Sequence, residues 1–237
     1  MVDMKNDKEK LQLLANLMNE QSATPIMMVT DDLLYVFDAA LEPEEVDFLL
    51  KMGGGNLRRS QIESRIGLPK GDFDRLLGTL LDKGHITELE PGQSDPCLHL
   101  MCIFPGWFEH YLMSGQDTPD RREFSRRVTK YFSMARDVPP DVLNAILEGV
   151  GPQRSIAVAN LSTHRLIEVS KALPPQVNEI YPPHTVLSIL ERLPEGEVIS
   201  GGHCFCRQQR RLDGDPCRMD LPLDSVGGRI KGSPWDT

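Results

Sequence analysis

Three of the chain's five cysteines fall within fourteen residues: Cys204 and Cys206, in the run Gly202-His203-Cys204-Phe205-Cys206-Arg207, and then Cys217. Several thiols on a Gly-rich, polar segment are what a soft metal ion or an iron–sulfur cluster requires, because the sulfur ligands must converge with little backbone strain. His203 would complete a Cys3His set for zinc. The single residue between Cys204 and Cys206 is awkward for a tetrahedral ion, whose paired ligands usually stand about two to four residues apart. Arg207, Arg210, Arg211 and Arg218 surround the thiols. They could offset the charge of thiolates or of a cluster, or simply form a solvated basic loop. Iron–sulfur, zinc and no metal at all remain open on the residues alone.

Little else in the chain is built for chemistry. It has no Gly-x-Ser-x-Gly elbow, no phosphate loop and no dinucleotide fingerprint. The six histidines are scattered without an evident nucleophile beside them, so the chain is not expected to be an enzyme. Gly53-Gly54-Gly55 reads as a helix stop, since no strand precedes it. Cys97 and Cys102 fall in strand-like surroundings and read as buried, inert thiols. Five cysteines without framework spacing fit a reducing compartment. The charged, unapolar stretch 1–10 is not a signal peptide, and no run is apolar enough for a membrane span. A cytoplasmic protein away from membranes is expected.

The elements that must position the thiols follow from periodicity. A helix is expected over 3–22, a short extended link at 26–29 and an apolar-faced segment over 31–40. Glu42-Pro43-Glu44-Glu45 opens a helix with Pro and acids in its first turn. Ser60, with Glu63 completing a capping box, opens the next. A third runs over 70–83 with Phe73, Leu76, Leu77 and Leu80 at helical spacing. Strand-like runs at 86–89 and 98–104 then flank a Pro-Gly turn. Three helices and a hairpin are the order of a winged helix, a helix-turn-helix variant. Helices follow over 107–113, 119–134 and 139–147. Trp107, Phe108, Tyr111 and Leu112 form an apolar stripe for the core or a dimer face. A strand at 156–159, a helix over 184–193 and a strand at 198–199 feed the cysteine loop.

The net charge of −9 is uneven. Residues 1–100 hold 18 acidic and 10 basic side chains, or −8, and the remainder 17 and 16, or −1. An acidic N-terminal half disfavours a nucleic-acid partner, because affinity there comes from neutralising phosphates. The outward residues of the helix over 70–83 are Lys70, Asp72, Asp74, Arg75, Thr79, Asp82 and Lys83, as acidic as basic. Arg58, Arg59 and Arg65 nearby keep DNA binding in view. Arg121, Arg122, Arg126 and Arg127 read as a solvated face.

Cys204-Phe205-Cys206-Arg207, an Arg-rich spacer, Cys217 and Pro222 together resemble the C-terminal motif of a bacterial and archaeal family. Its members join a winged helix to a four-cysteine, ferredoxin-like iron–sulfur motif. Leu41-Glu42-Pro43-Glu44-Glu45, Pro105-Gly106-Trp107-Phe108-Glu109 and Asp117-Thr118-Pro119 are similar to that family's phrases, and the resemblance spans roughly residues 40–225. It implies a 4Fe–4S cluster on Cys204, Cys206 and Cys217, tuned by Arg207, and a redox partner protein. The chain departs from the pattern at 226, where the fourth cysteine would stand and Val is found. His203, Asp220, Asp224, a partner's thiolate or a small ligand would have to serve instead.

The expected architecture is α+β and mainly helical. Residues 1–40 form a helical extension, 41–150 a winged-helix domain with following helices, and 151–237 a small α/β iron–sulfur-type domain with a polar tail. The function expected is electron transfer or redox assistance. A redox-responsive DNA-binding regulator or a cluster-less scaffold is the alternative, and a homodimer is compatible with either.

Overall fold

The computed structural model describes residues 4–22, 27–90, 92–134, 200–214 and 225–227. The helices expected over 139–147 and 184–193, the strands at 156–159 and 198–199, and Cys217 lie outside them. The fold is mainly helical with a small antiparallel sheet.

Helix α1 (Lys8–Asn19) starts where Asp7 accepts from the Glu9 and Lys10 amides. Helix α2 (Asp31–Ala40) starts at Thr30, with two acids in its positive first turn. Helix α3 (Pro43–Met52) ends at Gly53, whose φ of 76° only glycine adopts without strain. Strand β1 (Asn56–Arg58) follows, then α4 (Arg59–Ile66), α5 (Lys70–Asp82), β2 (Ile86–Glu88) and β3 (Cys97–Leu100). The sheet order is β1-β3-β2, both pairs antiparallel, with Leu57 opposite Leu98 and Ile86 opposite Leu100. Strand β1 was not anticipated, and it moves the start of α4. Ser60 does not cap that helix by a box with Glu63. Asp95, from the β2–β3 turn, instead accepts from the Ser60 amide and hydroxyl, each at 2.8 Å.

Strand β3 stops at Leu100, short of the expected 104, and a wide helical turn at Ile103–Trp107 leads into α6 (Phe108–Met113). Helix α7 (Pro119–Ser133) starts at Thr118. Trp107 is wholly buried against Phe37 (4.5 Å between rings), His85 (5.1 Å), Phe108 (5.3 Å) and Phe124 (5.6 Å). The aromatic stripe is therefore core, not a dimer face. Residues 4–40 are no appendage either, since α1 and α2 bury Leu11, Leu14, Leu33 and Phe37 in the same core.

Two compact units divide the chain, one of residues 1–139 with 198–237, the other of 140–197. This differs from the expected boundary near 150. The cysteine segment belongs with the first unit because its helix packs on α6 and α7. None of the helices searched among the described residues is long and apolar enough to cross a membrane.

His85 is buried completely, between Trp107 and Tyr111, and neither ring nitrogen meets a hydrogen-bond partner among the described residues. Burial first, then Lys83 and Arg121, holds the imidazole well below its ordinary value of 6.5. The unfolded chain thus takes up a proton that the folded core refuses. Stability is full above about pH 6.5 and falls as the pH drops below it, by up to about 1.4 kcal/mol per pH unit. Urea midpoints should fall on acidification, and His85→Leu should flatten the fall. Glu88 and Glu109, whose carboxyls burial pushes up, titrate in the opposite sense. The difference between wild type and variant isolates the imidazole, and identical slopes would refute its role.

Candidate metal centre

The segment expected as a loop is a strand followed by a helix. Strand β4 (Ser200–Gly202) leads through His203 into α8 (Phe205–Leu212), with Cys204 as the residue before the helix. The spacing is legible in hindsight: Phe205, Gln208 and Leu212 recur at helical intervals and face inward, while Cys206, Arg210 and Arg211 face out. Cys204 is half-buried and Cys206 exposed.

Residues not expected from the sequence build the seat. The His203 amide donates to the Met113 carbonyl at 2.9 Å. Phe205 stacks on Phe108 with ring centres 6.2 Å apart. Gln208 is buried and donates to the Gln116 carbonyl at 3.2 Å. Gln209 donates to the Ser125 carbonyl at 2.9 Å, and Arg211 to the Gly115 carbonyl at 3.1 Å. Thr129 donates to Asp213 at 2.6 Å where α8 ends. At Gly115, φ is +70° and an added Cβ would fall inside the Cδ2–Nε2 edge of the His203 ring. Only glycine permits both the turn and the close approach.

Strand β5 (Ser225–Gly227) pairs antiparallel with β4, placing Gly202 opposite Ser225 and Gly201 opposite Val226. Residues 203–224, which carry Cys204, Cys206 and Cys217, thus leave and return through one ladder. Among the described residues searched, no three His, Cys, Asp or Glu side chains converge as a metal site. His203, Cys204 and Cys206 therefore do not form a ready zinc triad, and the Nε2 edge of His203 lies over Gly115.

The other candidates are elsewhere. Cys97 and Cys102 are half-buried rather than buried, because Cys97 lies on the outer side of β3 and Cys102 beyond its end. Burial and Glu109 push the Cys102 thiol up, so it is a poor thiolate. Arg58 pairs with Glu90, Arg59 and Lys70 with Asp74, and Arg75 with Glu44, so the cations around α4 and α5 are engaged within the chain. On α7, Arg122 pairs with Asp117, and Arg126 and Arg127 with Glu123. Arg121 is no part of a solvated face: it is buried against the Tyr111 ring and carbonyl and Gln116.

No family model, curated protein or solved structure matches the chain.

Gly115→Ala should destabilise the protein by about 1–3 kcal/mol, the range for a non-glycine held in a left-handed conformation, and should speed alkylation of the half-buried Cys204. Adding His203→Ala should recover the part owed to the clash. Strict additivity of the two substitutions would show that the ring and the turn do not meet.

Proposed function

We propose that this is an iron–sulfur-binding, winged-helix protein serving electron transfer or a redox partner. The observation that carries the reading is the β4–β5 ladder, which closes residues 203–224 into one loop holding Cys204, Cys206 and Cys217. Closing that loop in the folded protein lowers part of the entropic cost of bringing the thiols together on a cluster. The order α3, β1, α4, α5, β2, β3 with sheet order β1-β3-β2 supports the winged-helix part.

The donor set fits a cluster in kind and falls one short in number. Soft thiolates suit iron–sulfur chemistry, which would supply one-electron exchange when bound. Cys204 precedes α8 and Cys206 lies in its first turn. Arg207 follows within the same turn and would balance negative charge there. Position 226, where the resembled motif carries its last cysteine, stands opposite Gly201, three residues before Cys204. The ladder thus sets position 226, which Val occupies here, across from the strand that leads into Cys204. The DNA-regulator alternative draws little support, because Arg58, Arg59, Lys70 and Arg75 already face carboxylates.

Protein reconstituted without oxygen should hold about four irons and four sulfides per chain, and Cys204→Ser should lose them. Val226→Cys should raise the yield and slow cluster loss in air. About one zinc per chain instead would make the segment a structural site. Protein with neither metal under these conditions would end the reading.

A further inference from the structure

The described cations are mostly neutralised where they stand. Around α4 and α5 and along α7, Arg58, Arg59, Arg75, Arg122, Arg126 and Arg127 each face an Asp or Glu. The pattern changes where α6, α7 and α8 meet. Arg210 is exposed and Arg211 bonds a backbone carbonyl, and neither meets a carboxylate among the described residues. Nearby on α7, Arg121 is buried, with its Nε donating to the Tyr111 carbonyl at 2.9 Å and its other hydrogen-bond and ring partners, Gln116 and Tyr111, neutral; Asp120 acts on it through space. A guanidinium away from water is screened less, so its field reaches further. Asp117, the acid beside this group, feels Arg211 through space, but its oxygens already accept both Arg122 nitrogens, at 2.6 and 3.0 Å. Asp213 accepts from Thr129. Among the described residues Arg65 and Lys51 also lack a carboxylate partner, but they belong to α4 and α3, outside this junction.

Cys206 and Arg210 are one helical turn apart on the exposed stripe of α8, and Arg211 flanks them. We propose that this stripe is the docking surface for an acidic face of a partner protein, with Cys206 and Arg210 at its centre. The identity of the partner as a redox protein rests on the function proposed above; the charge does not. A protein surface fits better than a nucleic acid. The patch is a few arginines wide on a chain of net charge −9, whose first hundred residues carry −8. A long phosphate backbone would run into that repulsion, whereas a local acidic patch would not.

The full-length apo protein tests this without any cluster. Cys206 is modified with a dianionic aryl disulfide and with a neutral pyridyl disulfide, and the labelled peptide is followed by mass spectrometry. In each case the thiolate attacks one sulfur and the other leaves as an aryl thiolate. The rate ratio, dianionic over neutral, should fall roughly threefold to tenfold between about 10 and about 300 mM salt. Arg210→Glu with Arg211→Glu should lower it as far at low salt. Lys70→Glu with Arg75→Glu, an equal change of net charge elsewhere, should leave it in place. Fluorescent poly-L-glutamate should bind the wild type at low salt, and at least about tenfold more weakly to the α8 variant. A ratio indifferent to salt and to the α8 charges would overturn the proposal, as would poly-L-glutamate binding that ignores them. Tighter binding of a single-stranded oligonucleotide than of poly-L-glutamate would assign the surface to nucleic acid instead. Iron content reports separately on the cluster, so either idea can fail alone.

Discussion

Helix α8 is eight residues long, too short to persist in water by itself. Everything at the thiol end depends on the seat that α6 and the turn after it provide. That seat is mostly polar. Gln208, Gln209, Arg211 and the His203 amide all donate to carbonyls of α6, α7 and the turn between them, and Phe205 and Leu212 supply the apolar contacts. Carbonyls at a helix C-terminus have no partner within the helix, so the His203 amide, just before α8, satisfies the Met113 carbonyl that α6 would otherwise leave to water, and α8 bonds the carbonyls of the turn beyond it. Bonds of this kind are directional, and they fix the rotation of α8 more tightly than apolar packing alone. That rotation decides which side chains face outward, and Cys206 is one of them.

The ladder β4–β5 adds a second constraint of a different kind. Three paired residues contribute little enthalpy, yet they join the two ends of a chain segment that holds three cysteines. Loop closure in a flexible chain costs entropy that grows slowly with length. Here the fold has met that cost before any ligand arrives. Residues 201 and 226 are neighbours across the ladder while far apart in sequence. A side chain at 226 is therefore close in space to the strand that leads into Cys204, although far from it in sequence.

Much of the α1–α7 framework was legible because its signals are strong and local. Pro43 with following acids, Gly53, and the Phe73–Leu80 periodicity each mark a boundary or a face by short-range chemistry. Strand β1 was not legible, since Asn56, Leu57 and Arg58 show no alternation long enough to read and gain their structure from pairing with β3. The cap of α4 was misread for a related reason: Asp95 comes from a distant turn, and no sequence window holds both partners. The thiols themselves were plain, but their setting was not. The Gly-rich, Arg-rich texture of 201–214 reads as a loop, and only the Phe205–Gln208–Leu212 spacing argues otherwise. Gln208 is a polar residue on a buried face, which a hydrophobic pattern passes over. Gly115 gave no sign, because its role comes from a ring eighty-eight residues away in the chain.

Electrostatics ties the two ends of this unit together. An exposed ion pair adds little stability, often under about 1 kcal/mol, so the pairing around α4, α5 and α7 matters less for holding the fold than for what it removes from the surface. It cancels local fields where the cations are most numerous. Arg121 is buried with no carboxylate hydrogen-bonded to it among the described residues, Asp120 acting on it only through space. Its carbonyl and amide partners satisfy its donors but cannot cancel its charge. A stability argument alone would favour an apolar residue of similar volume there. Retaining the guanidinium keeps a positive potential beneath the turn on which α8 rests. Acids are in excess over residues 1–100, while Arg210 and Arg211 of α8 form no ion pair among the described residues. Long-range fields of this kind act on a charged surface before contact, and the α8 arginines share their exposed side of the helix with Cys206.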